Sequence, residues 1–168
     1  MKENDNYIGT WTLVPELCIY EEGQAPLSGI YRISQSDGHV RISIDWEAPD
    51  GSAHQIEFGA PNDGTRQPSG APGVASADAP GVASAGAPGV ASADAPGVSH
   101  LSITRVSPLI LDSSAYAGAD EVAAYARRLA SQDGLLLSTI QVGRRADGTS
   151  FRNFQVYRRR TPEDHRSP

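Results

Sequence analysis

The run His39–Glu47, HVRISIDWE, alternates without a break. Val40, Ile42, Ile44 and Trp46 fall on one face, and Arg41, Ser43, Asp45 and Glu47 on the other. Successive side chains of a β-strand point to opposite sides, so this pattern predicts a strand with one buried and one wet face, as in an antiparallel sheet. Other strand-length runs are Ile8–Val14, Gly29–Gln35, Ala53–Phe58, Ser99–Val106, Leu109–Tyr116, Glu121–Ala130, Leu135–Gly143 and Ser150–Arg158. The residues of EVAAYARRLA (Glu121–Ala130) favour a helix, but their place between short turns in a meander predicts a strand. Pro15–Gly23 predicts one or two helical turns, with Pro at the first position and Gly at the end.

Turn chemistry supports that meander. Asp-Gly occurs at Asp37-Gly38, Asp50-Gly51, Asp63-Gly64, Asp133-Gly134 and Asp147-Gly148. Between alternating segments this dipeptide is a hairpin signal, because both residues tolerate positive φ. Nine strands cannot close an up-and-down antiparallel barrel, since the first and last would meet in parallel. A short strand at Thr65–Gln67 completes ten, and eight remain if two of the runs are loops. The expected fold is all-β: a closed up-and-down antiparallel β-barrel.

One segment breaks the rhythm. The octapeptide APGVASAD starts at Ala71, Ala79 and Ala87, and a truncated fourth copy starts at Ala95. Val is the only sizeable apolar residue in each copy, so stacked copies bury almost nothing. Pro-Gly favours isolated type II turns. The expected organisation is therefore a single barrel domain over residues 7–160, a disordered octapeptide-repeat loop inserted at 69–98, and a disordered tail at 161–168. About 130 residues outside the repeat and tail suffice for a hydrophobic core. Strand parity places the repeat at the same end as the connections after the first and third strands. Deleting Ala71–Asp94 is expected to change stability by at most ~1–1.5 kcal/mol, because loop-closure entropy grows only logarithmically. Ligand affinity should hardly change. Thermal melts and ligand titrations check both statements, and a collapse of binding would give the repeat a role at the ligand.

Charge narrows the function classes. The chain has 168 residues and a formal net charge of −6, which argues against a nucleic-acid binder, whose footprint is a basic face. Its N-terminus, MKENDNY, carries no apolar leader, and no run approaches membrane-spanning length. A soluble cytoplasmic protein without membrane insertion is expected. Cys18 is the only cysteine, so no internal disulfide forms. His39, His54, His100 and His165 show no metal-ligand spacing. No nucleophile elbow, phosphate loop or dinucleotide fingerprint is present, so no metal and no cofactor is expected.

The stretch YIGTWTLV, with Gly9-Thr10-Trp11 near the N-terminus, resembles the opening strand of lipocalins and fatty-acid-binding proteins, the calycin barrels. The C-terminal FQVYRR is similar to the closing strand of the fatty-acid-binding branch, where an Arg-x-Tyr pair holds a ligand carboxylate. The resemblance implies that Trp11 packs across the closed end of the barrel against a basic residue, Arg158 or Arg159. It also implies a ligand role for Tyr157. The Arg position of the pair is occupied by Gln155, a neutral donor and acceptor, and the two-helix lid has no room in Pro15–Leu27.

These readings give a candidate site. Ile42, Ile44 and Trp46 supply an apolar lining, and Gln155 and Tyr157 supply polar anchoring. Tyr125 and Arg127 share one face of their strand, while Arg128 shares the other with small residues. Arg105 alternates with Leu101 and Ile103 and is also a candidate for the interior. A small, largely hydrophobic molecule held in the barrel is the leading function. The alternative is a cofactor-free cyclase or isomerase of a polyketide-like metabolite, with Tyr125, Tyr157 and Arg127 as catalytic candidates. A barrel filled with side chains and serving only as a scaffold is the third class. Small residues such as Ala123, Ala124, Ala126, Ser113 and Ser114 predict interior space for a ligand or water.

Overall fold

Sheet formation follows the alternation closely. A computed structural model describes residues 5–68, 98–145 and 147–161. The expected repeat insertion and the tail beyond Thr161 lie outside the described residues. The strands are β1 (Gly9–Leu13), β2 (Ile19–Tyr20), β3 (Ser28–Ser36), β4 (His39–Glu47), β5 (Ala53–Pro61), β6 (Gln67–Pro68), β7 (Val98–Ser107), β8 (Ile110–Ala117), β9 (Glu121–Ala130), β10 (Leu136–Arg144) and β11 (Ser150–Arg159). Ten of them form one antiparallel order, β5-β4-β3-β1-β11-β10-β9-β8-β7-β6, and β2 pairs with β11. The sheet bends until its ends approach. Asp63 bridges Thr104, Gly64 N–H donates to the Ile103 carbonyl (2.9 Å), and Arg105 N–H donates to the Asn62 carbonyl (2.8 Å). The result is a nearly closed barrel. Among the described residues no helix is long and apolar enough to cross a membrane.

The turns carry out what their composition predicts. Asp37 and Gly38 both adopt positive φ, 51° and 75°, in the two-residue loop between β3 and β4. At the other Asp-Gly pairs the aspartate accepts the N–H two residues on. Ser52, Thr65, Leu135 and Thr149 are the donors, at 2.9–3.0 Å. Pro15–Gly23 differs from the helical expectation. It makes a single 3-10 turn at Pro15–Leu17 and then returns to extended backbone, because β2 finds a partner edge on β11. Pairing along β11 supplies backbone hydrogen bonds that a short isolated helix could not hold.

Strand direction defines two ends. The N-terminal segment and the turns at 37–38, 62–64, 108–109 and 131–135 gather at one end. The connections 14–27, 48–52, 118–120 and 145–149 lie at the other, with Pro68 and Val98 beside them. The first end is closed by Trp11. Its ring is fully buried, its indole N–H donates to the Tyr7 carbonyl at 3.0 Å, and the Arg159 guanidinium stands 4.1 Å over its face. Arg159 also donates to the carbonyls of Ile8 (3.0 Å), Asn6 (2.5 Å) and Gly134. Of the two partners the resemblance implied, Arg159 is the one in place.

Gly9 makes that stack possible. Its φ of 147° disfavours a side chain, and a Cβ there would lie 2.3 Å from Arg159 Nη1. Arg159 cannot swing aside without leaving three carbonyls. Gly9→Ala should therefore cost about 1–3 kcal/mol, read as a lowered denaturant midpoint. An unchanged midpoint would show that Arg159 has another way to lie.

An ion pair locks the same end. Arg105 donates to both oxygens of Asp5 at 2.8 Å, and the Tyr7 hydroxyl donates to Asp5 at 2.5 Å. Burial by itself raises the Asp5 carboxyl. The hydrogen bonds from Arg105 and Tyr7, with the Arg105 charge, outweigh it and hold the carboxyl below its usual value. A carboxyl with a depressed folded-state pKa contributes stability above its unfolded pKa and loses it as pH falls through the folded one. The melting temperature should thus drop below about pH 4, and Asp5→Asn should flatten part of that drop. The turn aspartates Asp50, Asp63, Asp133 and Asp147, also held low by hydrogen bonds, supply the remainder.

Candidate functional site

The barrel interior has two unlike walls. β4 and β5 line one with Ile42, Ile44, Trp46, Ile56 and Phe58, all buried. β9, β10 and β11 line the other, and there the inward positions are largely polar. Thr139 lies opposite both Arg128 and Gln155 in the register, and Gln141 lies opposite Asn153. Arg128, Thr139, Asn153 and Gln155 have no exposed surface. Burying polar groups is unfavourable unless each is hydrogen-bonded. Asn153 is held by the backbone of Glu21 and Glu22, and the Arg128 and Gln155 groups meet through the Tyr31–Tyr157 ring contact in one polar network.

Arg128 anchors that network. Its Nε donates to the Tyr31 hydroxyl at 2.5 Å, and its Nη1 donates to the Ser113 hydroxyl at 3.0 Å. Tyr31 meets Tyr157 edge to face, with ring centroids 5.3 Å apart. Gln155 Oε1 accepts from Thr139 (2.5 Å) and, more weakly, from Tyr157 (3.5 Å). Gln155 Nε2 donates to the hydroxyl of Tyr20, which β2 brings opposite Asn153. Burial pushes the phenols of Tyr20 and Tyr157 well up and raises that of Tyr31, where the Arg128 charge opposes the rise without cancelling it. All three phenols stay protonated at neutral pH. The wall thus carries a guanidinium, neutral phenols and an amide, a set suited to an oxygen acceptor.

Side-chain size divides the interior along its axis. The closed end is filled by Trp11, Ile33, Leu111 and Leu137. Arg128, Tyr31 and Tyr157 occupy the middle, taking up space that Ser113 and the neighbouring alanines leave. Toward the other end the inward positions include Gly29, Ala115, Ala126 and Gly143, and the Phe151 ring lies over Gly143, where a Cβ would meet it at 2.3 Å. Trp46 stands there stacked on His54, with centroids 5.2 Å apart.

Ile42, Ile44 and Trp46 face the interior, as the alternation placed them, and so do Arg128, Gln155 and Tyr157. Tyr125 and Arg127 do not. They lie on the outer face of β9, where Arg127 clasps both oxygens of Asp112 at 2.9 and 2.7 Å. The cause is strand parity, for Ala126, Arg128 and Ala130 pack inward and force their odd-numbered neighbours out. Arg105 points along the closed end to Asp5, with 41% of its side chain exposed. These corrections move the catalytic candidates Tyr125 and Arg127 out of the barrel.

Tyr31, Thr139, Asn153 and Tyr20 join the interior unannounced by the sequence reading. Tyr31 was legible, since it alternates with Gly29 and Ile33 in a run already assigned as a strand. Tyr20 depends on β2, two residues long, for which no periodic signal exists. Among the described residues no cluster of three or more His, Cys, Asp or Glu side chains is arranged to hold a metal ion. No protein-family model and no curated protein sequence matches this chain.

Proposed function

We propose that the barrel binds a small, largely apolar molecule carrying an oxygen acceptor, and that the chain is a relative of the lipocalin and fatty-acid-binding barrels. One observation carries the reading: a buried polar network on β9–β11 faces an apolar wall on β4 and β5. An interior built only for stability is cheaper to fill with apolar side chains than with an arginine and three amides. The ligand enters at the end opposite Trp11, between the rings of Trp46 and Phe151. Its apolar body lies against Ile44 and Trp46, and its oxygen reaches the Arg128–Tyr31–Gln155 layer. The Gly9-Thr10-Trp11 opening, the Arg159 stack and the ten-strand order support the kinship.

The Arg128–Tyr31 pair also favours a second reading. A phenol polarised by a guanidinium can donate to a carbonyl as charge builds on its oxygen, which is the requirement for a cofactor-free cyclase or isomerase. Titration with apolar acids and polyketide-like lactones, followed by Trp46 fluorescence and native mass spectrometry, separates these outcomes. Saturable binding below roughly 100 μM, worth about 5.5 kcal/mol, supports the first. Conversion that Tyr31→Phe abolishes while binding persists supports the second. A panel without any binder overturns both.

A further inference from the structure

Two segments share one edge of β11. β1 pairs with it over Tyr157–Arg159, and β2 pairs with it at Asn153 and Phe154, beyond the 3-10 turn at Pro15–Leu17. β2 is two residues long and has no second strand neighbour among the described residues. Its Ile19 is 66% exposed and adds little burial. Polar contacts hold the segment instead. Asn153 Oδ1 accepts from the Glu21 and Glu22 N–H groups at 3.1 and 3.2 Å, and Asn153 Nδ2 donates to the Glu22 carbonyl at 3.2 Å. Arg145 Nε donates to the Glu22 carboxylate at 2.6 Å, and the Arg152 N–H donates to the Glu21 carboxylate at 2.7 Å. Tyr20, the other residue of β2, reaches the buried Gln155, whose Nε2 donates to the phenol oxygen at 2.7 Å. That oxygen is an uncharged acceptor at the end of an apolar ring. It offers Gln155 the same chemistry as the ligand proposed above.

Building on that binding function, we infer that Tyr20 is a built-in competitor of the ligand: it holds Gln155 until a ligand's oxygen takes that amide, and it then leaves together with β2. Either oxygen satisfies the Gln155 N–H, so the exchange itself costs little. The ligand has to offset the release of β2, which is two ladder positions and the Asn153 clamp. A two-residue strand bound along one edge, with its apolar side chain in water, belongs to the least stable parts of a fold. A ligand that binds only the released form has its affinity reduced by the fraction of chains in that form. The Glu22–Arg145 pair, with side chains 38% and 33% exposed, sets that fraction from the connections at the barrel end. Being partly screened by solvent, it is a weak latch.

Titration of the full chain with anilinonaphthalene sulfonate, an apolar body bearing an oxygen acceptor, tests this by the fluorescence of the probe. Tyr20→Phe keeps the ring and removes the competing oxygen, and should lower the dissociation constant about 5- to 10-fold. Glu22→Gln loosens the latch and should lower it about 2- to 5-fold. Circular dichroism confirms that both variants are folded. Hydrogen exchange on the wild type needs no variant and gives the direction of the change. On saturation with the probe, exchange across Cys18–Glu22 should accelerate while β9–β11 becomes protected. Equal affinities of the wild type and both variants overturn the inference and leave the binding function standing. Slower exchange across Cys18–Glu22 does the same, because β2 would then be a lid that closes over the ligand. Weaker binding by folded Tyr20→Phe also overturns it, by placing Tyr20 among the contacts of the ligand. A probe that binds none of the three proteins overturns the binding function and the inference together.

Discussion

Trp11→Ala is expected to lower the stability of the barrel by about 3–5 kcal/mol, the range for truncating a large buried aromatic side chain. Three losses coincide at that position. The ring leaves a void in the closed end, the Tyr7 carbonyl loses the indole N–H, and Arg159 loses the face it stacks upon. Against a total stability of about 5–15 kcal/mol for a domain, this is a large fraction. Urea denaturation of both proteins at pH 7 gives the difference. Trp11→Phe keeps an aromatic face but no donor, and should fall between the two. A Trp11→Ala midpoint equal to that of the wild type would mean that the closed end is held without the ring.

Arg128→Met should separate stability from binding. Methionine relieves the desolvation of the guanidinium but leaves the buried hydroxyls of Tyr31 and Ser113 without their donor. Stability is therefore expected to fall, by about 1–3 kcal/mol. Affinity for an apolar acid should fall roughly 10- to 100-fold, the worth of a hydrogen bond to a charged donor in a dry site. Fluorescence titration and thermal melting of the same samples read both quantities. Severe unfolding with unaltered binding at permissive temperature would assign Arg128 to the architecture and remove it from the ligand.

Strand positions were legible in the sequence, because alternation and Asp-Gly turns are local signals that the folded barrel leaves intact. His39–Glu47 illustrates this, since every residue of the run occupies the face its parity assigns. The site was legible only in part. Glu121–Ala130 carries arginine on both faces, so parity alone could not say whether Arg127 or Arg128 turns inward. That choice is made by Asp112 on the neighbouring strand, which gives Arg127 an outer partner. The runs Leu135–Gly143 and Ser150–Arg158 mislead in a different way. Both of their faces carry apolar residues, with Ile140, Val142 and Phe154 outside and Leu137 and Phe151 inside beside the amides. Hydropathy marks a strand there without fixing its orientation. The partners that settle orientation, such as Tyr20 for Gln155, are more than a hundred residues away in the chain.

β1 and β11 are neighbours, with Trp11 opposite Arg159 and Leu13 opposite Tyr157. A ribosome releases the first strand about 150 residues before the strand that must lie beside it. Until then β1 can pair only with β3 and keeps one backbone edge bare, a template for joining other chains. Closure also waits on contacts of the greatest sequence separation, which are the slowest to form. A chain cut short by even the last ten described residues would lose β11 and half of the polar wall with it. The vulnerable period for this protein is thus its synthesis, and quality control that holds the nascent chain until Arg159 emerges would determine how much of it survives to fold.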